Sequence, residues 1–414
     1  MWRWPPVGSG AMLSSQRPAR PQPFSASLRR VRLWVYGTHC SVAAEPVSAL
    51  ARLFATELEL KVTWRGVRDY CGYHSGDGVW PTADEDSKFN EITRRFVKKD
   101  GELWDMLQTP VLFAQAFRHA LEREQKFVSA DVALCSEPAF ACGVIYQAAK
   151  PVLGYFGVHI GFMLGSAEDQ LAFYRFFRDS LCKDPRSTFA TVAPYLSLQI
   201  FHHTASQLPV VRPLSLYTLP AMYTGRRHED VLVNKRPVPF WDLAPLLQAF
   251  AREVDMSWSF VDPQELPSVG DGRGWQKWAD FSAGVYFPYD WLQTMTFYDW
   301  IAMALPTFVP NSPLYAYASG TNSRDAWPGA LLDAGAALGP SPQPVAVHPH
   351  DYSDWRHPGG RVHWWLLTDF RAMPGIAHFN SVGDLLTQLS VQGERGLRAL
   401  SAELRRSHLR RCAE

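Results

Sequence analysis

The stretch of this chain with the most chemical potential runs from Phe281 to Pro310, FSAGVYFPYDWLQTMTFYDWIAMALPTFVP. It reads as strand, turn, helix, turn, strand. Thr294 and Thr296 place hydroxyls at the expected helix start, where the first-turn amides have no partner within the helix and can receive a diphosphate. Asp299 follows about one turn further in, within reach of a pair of ribose hydroxyls, with helix capping or solvation as its plain alternative. A second group is cationic: Arg226, Arg227, Lys235 and Arg236. Guanidinium is permanently charged and bidentate toward phosphate, so one of the four is expected to contact an anionic ligand, although a solvated loop charge is the commoner fate of any single one. A third group suits proton transfer. His39 and His159 each follow an expected strand at its carboxyl end, where an imidazole can take a proton from a hydroxyl near neutral pH, and His74 is a further candidate. Each is individually more often structural. Glu137, just ahead of Pro138, is an alternative base, with helix capping as its bland role.

To hold these groups the chain must alternate strands and helices, and its patterning says that it does. The alternating β-branched and aromatic residues of Val31 to Gly37 read as a strand, residues 37–40 turn, 44–58 read as a helix with Pro46 in its first turn, and 59–64 as a second strand. That is a β-α-β unit, the element of parallel sheets with right-handed crossovers. Residues 69–87 are rich in Gly, Asp and Pro and read as a loop, and 89–107 and 111–124 as helices. Strands are expected at 131–135, 151–158 and 189–193, with helices running to about 149, over 167–181 and over 194–206. Pro209 and Pro213 break the rhythm, and the domain boundary is placed there. Beyond it the pattern restarts, with strands at 230–233, 256–260, 283–287 and 307–309 and helices at 241–254 and 292–304. Residues 311–360 read as long loops, and 362–371, 382–389 and 394–411 as helical. The expectation is an α/β fold of two Rossmann-like doubly wound domains facing a cleft, residues 31–206 and 207–380. A tail precedes them over 1–30 and a helical segment follows over 381–414. In such sheets ligands sit at the carboxyl ends of the strands, where the strand order reverses.

Composition narrows the function. At 414 residues the chain exceeds one ordinary core. A net charge of +1 gives no global attraction to nucleic acid, and no basic stripe with interleaved aromatics appears. No G-x-G-x-x-G follows a strand, and neither a P-loop nor a G-x-S-x-G elbow is present. Asp84-Glu85-Asp86 matches the D-x-D pattern of metal sites, but no strand precedes it, so no metal is assigned. The six cysteines include no C-x-x-C pair. Cys135, in an apolar run, reads as a small core residue, and reduced thiols fit a cytosolic chain without excluding a lumenal one with a bridge or two. No apolar run reaches the roughly 18 residues of a membrane span. The first thirty residues carry Arg3, Arg17, Arg20, Arg29 and Arg30 and no acid. They read as a disordered or targeting tail, which leaves a cytoplasmic or organellar location open. Leu397, Leu400 and Leu404 line one face of the final helix among several arginines. It is expected to pack back on the first domain, with contact to an anionic membrane surface as the alternative.

The 281–310 stretch resembles the donor-binding segment of GT-B glycosyltransferases, in which a strand enters a helix carrying an acidic residue and exits through Pro into the next strand. Phe96–Leu103 with 130–135 and 150–154, and Trp365–Pro374 with 379–386, are similar to an uncharacterised eukaryotic subgroup of that fold. The resemblance implies a hexosyltransferase that needs neither cofactor nor metal and takes a UDP- or GDP-linked sugar to a glycan, protein or lipid acceptor. It implies a donor site of Tyr289, Thr294, Met295, Thr296 and Asp299, with a cation from Arg226, Arg227 or Lys235 on the diphosphate. One departure stands out: retaining members usually carry Glu where this chain has Asp299. Two other readings stay open, a noncatalytic carbohydrate- or partner-binding protein of the same fold and a nucleotide-sugar epimerase.

Overall fold

Alternation along the first strand decides how the amino-terminal layer packs. In β1 (Arg29–Tyr36) Leu33 and Val35 point to one face and meet Ala43 and Val47 of α1 (Cys40–Leu53). Trp34 and Tyr36 point to the other, where Trp34 lies 5.1 Å from the Phe127 ring and Tyr36 4.7 Å from Phe117, both edge to face. A strand apolar on both faces belongs inside a parallel sheet covered by helices on each side. The computed structural model describes residues 28–66, 87–100, 104–107, 109–148, 150–161, 163–164, 166–234, 243–262, 274–288, 295–311, 362–363 and 365–413.

The first sheet contains β1, β2 (Leu58–Arg65), β5 (Val132–Cys135), β6 (Val152–Phe156) and β7 (Ser187–Thr191) in the order β2-β1-β5-β6-β7, all parallel. Its helices besides α1 are α2 (Ser87–Phe96), α3 (Pro110–Arg123), α4 (Gln125–Val128), α5 (Ala139–Gln147), α6 (Ala167–Asp179) and α7 (Pro194–Thr204). An antiparallel ribbon, β3 (Val97–Asp100) with β4 (Trp104–Leu107), stands apart. The second sheet contains β8 (Arg227–Asn234), β9 (Ser259–Val261), β10 (Phe281–Tyr286), β11 (Thr307–Pro310) and β12 (Ala377–Phe379), ordered β12-β11-β10-β8-β9 and again parallel. Around it lie α8 (Leu243–Glu253), α9 (Gly274–Ala279), α10 (Met295–Ala302), α11 (Asp369–Ala372) and α12 (Val382–Ala413).

Numbered within its own domain, each sheet has the same order, 2-1-3-4-5. The strand order therefore reverses between β1 and β5 in the first and between β8 and β10 in the second. Two doubly wound Rossmann-like domains are the result. They are not separate cores: one buried cluster runs from Trp34 and Phe117 through Tyr155, Val192 and Tyr217 to Tyr298, Trp300 and Phe370. The opposite face of the second sheet, with Val231, Val233 and Val285, packs on Leu247 of α8 and on Leu385, Leu389 and Leu397 of α12.

Several expectations need correction. The helix placed at 44–58 begins at Cys40, so Pro46 lies in its interior rather than its first turn. Residues 97–100 and 104–107 form the ribbon β3–β4 rather than the end of a helix. The Asp-Gly pair at 100–101 is a hairpin signal that outweighs the helical period before it. β12 and α9 were not anticipated, because three and six residues are too few to show a period. Cys135 is not a lone thiol: it is bridged to Cys142 of α5, while Cys182 and Cys412 are free. The break expected in the carboxyl-terminal helix occurs at Gly393, which has φ 50°. The tail over 1–27, His74, the acidic triplet at 84–86 and the loops over 312–361 lie outside the described residues.

Gly284 in β10 shows how tightly the second layer is built. A Cβ there would stand 2.4 Å from the Trp300 ring, so the bare strand is what lets α10 lie flat on the sheet. Trp300 is fully buried and rigid, and Gly284→Val is expected to cost about 1–3 kcal/mol of stability through overpacking, read from denaturant unfolding.

Candidate functional site

At the first reversal point β1 ends in Gly37-Thr38-His39 and β5 in Cys135-Ser136-Glu137. The Thr38 amide donates to the Glu137 carbonyl at 2.9 Å and the Ser136 amide to the Tyr36 carbonyl at 3.1 Å, which laces the two strand ends together. A Cβ on Gly37 would meet Ser136 Oγ at 2.2 Å, so a larger residue there would force the Ser136 hydroxyl aside. Ser136 is fully buried, and its hydroxyl has no hydrogen-bond partner among the described residues. His39 is partly buried as the residue before α1, with Nδ1 3.0 Å from Ser41 Oγ, and Glu137 is buried. The structure thus brings two of the expected acid–base residues to one strand edge.

His159 is elsewhere and enclosed. It follows β6 at zero exposure, with Nδ1 accepting from the Gly161 amide at 3.0 Å and Nε2 3.0 Å from Nδ1 of His203 on α7. The Tyr174 hydroxyl is 3.3 Å from the same Nδ1. An amide N–H only donates, so Nδ1 of His159 accepts and the ring is held against its own chain. That corrects the expectation of a base facing a substrate.

At the second reversal point Asn234 of β8 pairs with Tyr286 of β10, and the Phe287 amide donates to the Asn234 carbonyl at 3.0 Å. The chain then continues into Lys235 and into Tyr289–Thr294. Lys235, Arg236, Tyr289 and Thr294 lie outside the described residues. Met295 and Thr296 open α10, the first buried and the second partly so. Arg226 and Arg227 do not belong to this edge. β8 begins at Arg227, so both stand at its amino end, about 20 Å or more from Asn234. Arg227 is occupied there, 2.8 Å from Asp230 and with its guanidinium 4.1 Å from the Phe281 ring centroid. Grouping them with Lys235 and Arg236 overlooked that the strand itself runs between the two pairs.

Asp299 is neither a cap nor a solvated acid. It is 5% exposed and accepts a 2.8 Å hydrogen bond from the Tyr217 hydroxyl. Tyr217 lies in a 3-10 turn, Leu216–Thr218, at the end of the segment joining the sheets. Around that segment is a polar network that the sequence reading missed. Glu45 of α1, 3% exposed, accepts from the Leu214 amide at 2.7 Å and from Ser215 at 2.9 Å. Arg212 Nε lies 3.1 and 3.0 Å from the two oxygens of Asp369, itself 1% exposed. The Tyr298 hydroxyl donates to Asp369 as well, and the Tyr155 hydroxyl to the Val211 carbonyl at 2.8 Å. Arg411 of α12 reaches the Pro213 carbonyl at 3.5 Å, so the last helix does return to the joining segment.

Burial sets the titration of this network. Desolvation lifts the Glu45 carboxyl to about 7 against the pull of its two amide donors. It pushes the Tyr217 and Tyr298 hydroxyls well above their ordinary value, with Asp299 and Asp369 respectively adding to the shift, and holds His408 down at about 4. One signal was available in the sequence. Glu45 interrupts the apolar run Val42-Ala43-Ala44-Glu45-Pro46-Val47, where a carboxylate must find a partner.

No family model and no curated protein sequence matches the chain. Solved structures that resemble it include the following two. One is a glycotransferase of kitacinnamycin, 11% identical, covering 93% of this chain and 98% of that one at a TM-score of 0.39. The other is the apo lipopolysaccharide outer core galactosyltransferase WaaB, 11% identical, covering 68% and 80% at a TM-score of 0.35. Superpositions this loose carry no argument about residues or activity. The topology is nonetheless GT-B-like. Among the described residues no group of three or more His, Cys, Asp or Glu could hold a metal ion, and no helix is long and apolar enough to cross a membrane.

The Asp369 cluster offers a direct stability test. Arg212→Met leaves a buried carboxylate without its cation and is expected to destabilise by about 1–3 kcal/mol or more. Tyr298→Phe removes one neutral donor and should cost about 0.5–1.5 kcal/mol. The order of the two unfolding free energies checks the assignment.

Proposed function

We propose that the chain is a metal-independent glycosyltransferase that carries a hexose from a UDP- or GDP-linked donor to an acceptor on the first domain. The observation that carries this reading is the pairing of Asn234 with Tyr286. It puts the reversal point of the second sheet where the chain enters Lys235 on one side and Tyr289 to Thr296 on the other. In open α/β sheets that crevice is where ligands bind. The first-turn amides of α10, with the hydroxyls of Thr294 and Thr296, would take the diphosphate, and Lys235 would balance its charge. Tyr289 and Met295 would flank the nucleoside. Asp299 would serve this pocket as a positioning residue through the hydrogen bond that its Oδ1 accepts from Tyr217. His39 or Glu137, at the matching edge of the first sheet, would take the acceptor proton.

A noncatalytic sugar- or partner-binding protein is the second reading, favoured by the engagement of Asp299 with Tyr217 and the enclosure of His159. An epimerase would instead release UDP from a UDP-sugar with no acceptor present. Thermal shift with UDP and GDP separates binding from its absence. Stabilisation is expected to be lost, with the dissociation constant rising about tenfold or more, in Lys235→Ala. Arg226→Ala, at the far end of β8, should bind as the parent does. No shift with either nucleotide would remove the donor site, and a shift without sugar release would leave the binding-protein reading.

A further inference from the structure

The Glu45 carboxyl has no place in the proposed transfer chemistry, yet it grips the backbone segment that joins β7 of the first sheet to β8 of the second. Its Oε1 and Oε2 accept the amides of Leu214 and Ser215 separately, two residues before the turn that carries Tyr217. The joining segment is held on its other sides by Arg212 to Asp369, by Tyr155 to Val211 and by Arg411 to Pro213. Of these, the Glu45 contact is the one that ties the segment to α1, the helix that leaves the first reversal point.

We propose that Glu45 is a titratable interdomain clasp, whose gain or loss of a proton sets how firmly residues 211–218 are docked between the two sheets. The groups facing it are Asp299 on α10, which opposes its ionisation, Arg411 on α12, which favours it, and Tyr217, Tyr155 and Cys412, whose own ionisation it opposes. Glu45 ionises at about 7 in the docked state, against 4.5 where it is solvated. A carboxyl whose value is raised by burial is best accommodated neutral. The docking it supports is therefore complete below about 4.5 and declines as the pH rises through about 7, because undocking hydrates the charge. The negative charge of Asp299 pushes in the same direction.

The test uses the full chain without nucleotide, so it can fail or succeed whatever the donor site proves to be. Protection factors of the Leu214 and Ser215 amides, corrected for intrinsic exchange, are expected to fall about tenfold between about pH 6 and about pH 8. In Glu45→Gln, neutral at every pH, they should not vary over that range. A flat wild-type profile overturns the proposal, and so does a Glu45→Gln variant that keeps the wild-type slope. Asp299→Asn gives a second reading in case the glutamine variant does not fold. Removing the facing carboxylate should shift the wild-type decline to lower ionisation midpoint, and an unmoved midpoint overturns the role of Glu45 in it.

Discussion

Carboxylates buried where two sheets meet constrain this molecule more than any other feature. Glu45, Asp299 and Asp369 are all within a few per cent of complete burial. An unpaired charge there would cost several kcal/mol. Each is answered by groups from a different part of the chain: backbone amides of the joining segment for Glu45, Tyr217 for Asp299, Arg212 and Tyr298 for Asp369. The joining segment therefore cannot be a slack tether. Its course is dictated by the acids it must satisfy, and the continuous apolar cluster around it excludes the water that could otherwise do so.

The architecture was legible in the sequence because period and punctuation agreed. β1, β5, β6 and β10 are short apolar runs bounded by turns, and the alternation of strand with helix restarts after Pro209 and Pro213 much as it began. What escaped notice was brief or contradictory. β12 has three residues. The ribbon at 97–107 carries lysines that suit a helix surface as well as a strand. α1 begins before its proline because the turn after Gly37 sets the start, and the interior Pro46 merely omits one bond.

The site was less legible, for a physical reason. Sequence spacing places His39 and Glu137 at strand ends, and strand ends do become neighbours in a parallel sheet, so that pairing could be read locally. His159 satisfied the same rule, but its ring is held against its own chain by a backbone amide two residues on, which no spacing announces. Arg226 and Arg227 were grouped with Lys235 and Arg236 as one cationic cluster, although the length of β8 lies between the two pairs. Asp299 and Glu45 depend on contacts across 82 and 169 residues of chain, set by tertiary packing alone.

Those distant contacts bear on how a two-domain transferase could work. Glu45 is the sixth residue of α1 and Asp299 the fifth of α10, so each lies about 6–8 Å behind the amino end of its helix. The two helix ends are the edges at which acceptor and donor would be held. Glu45 is tied to residues 214 and 215, Asp299 to residue 217. A single residue of backbone, Leu216, thus separates the anchor of one helix from the anchor of the other. A rigid 3-10 turn in that interval fixes the relation between the helices more closely than the surrounding apolar contacts can, since hydrocarbon surfaces slide at little cost while hydrogen bonds to buried acids do not. Group transfer between two domains requires the reacting ends to meet within a few tenths of an ångström. The polar seam ties both helices to one short stretch of backbone.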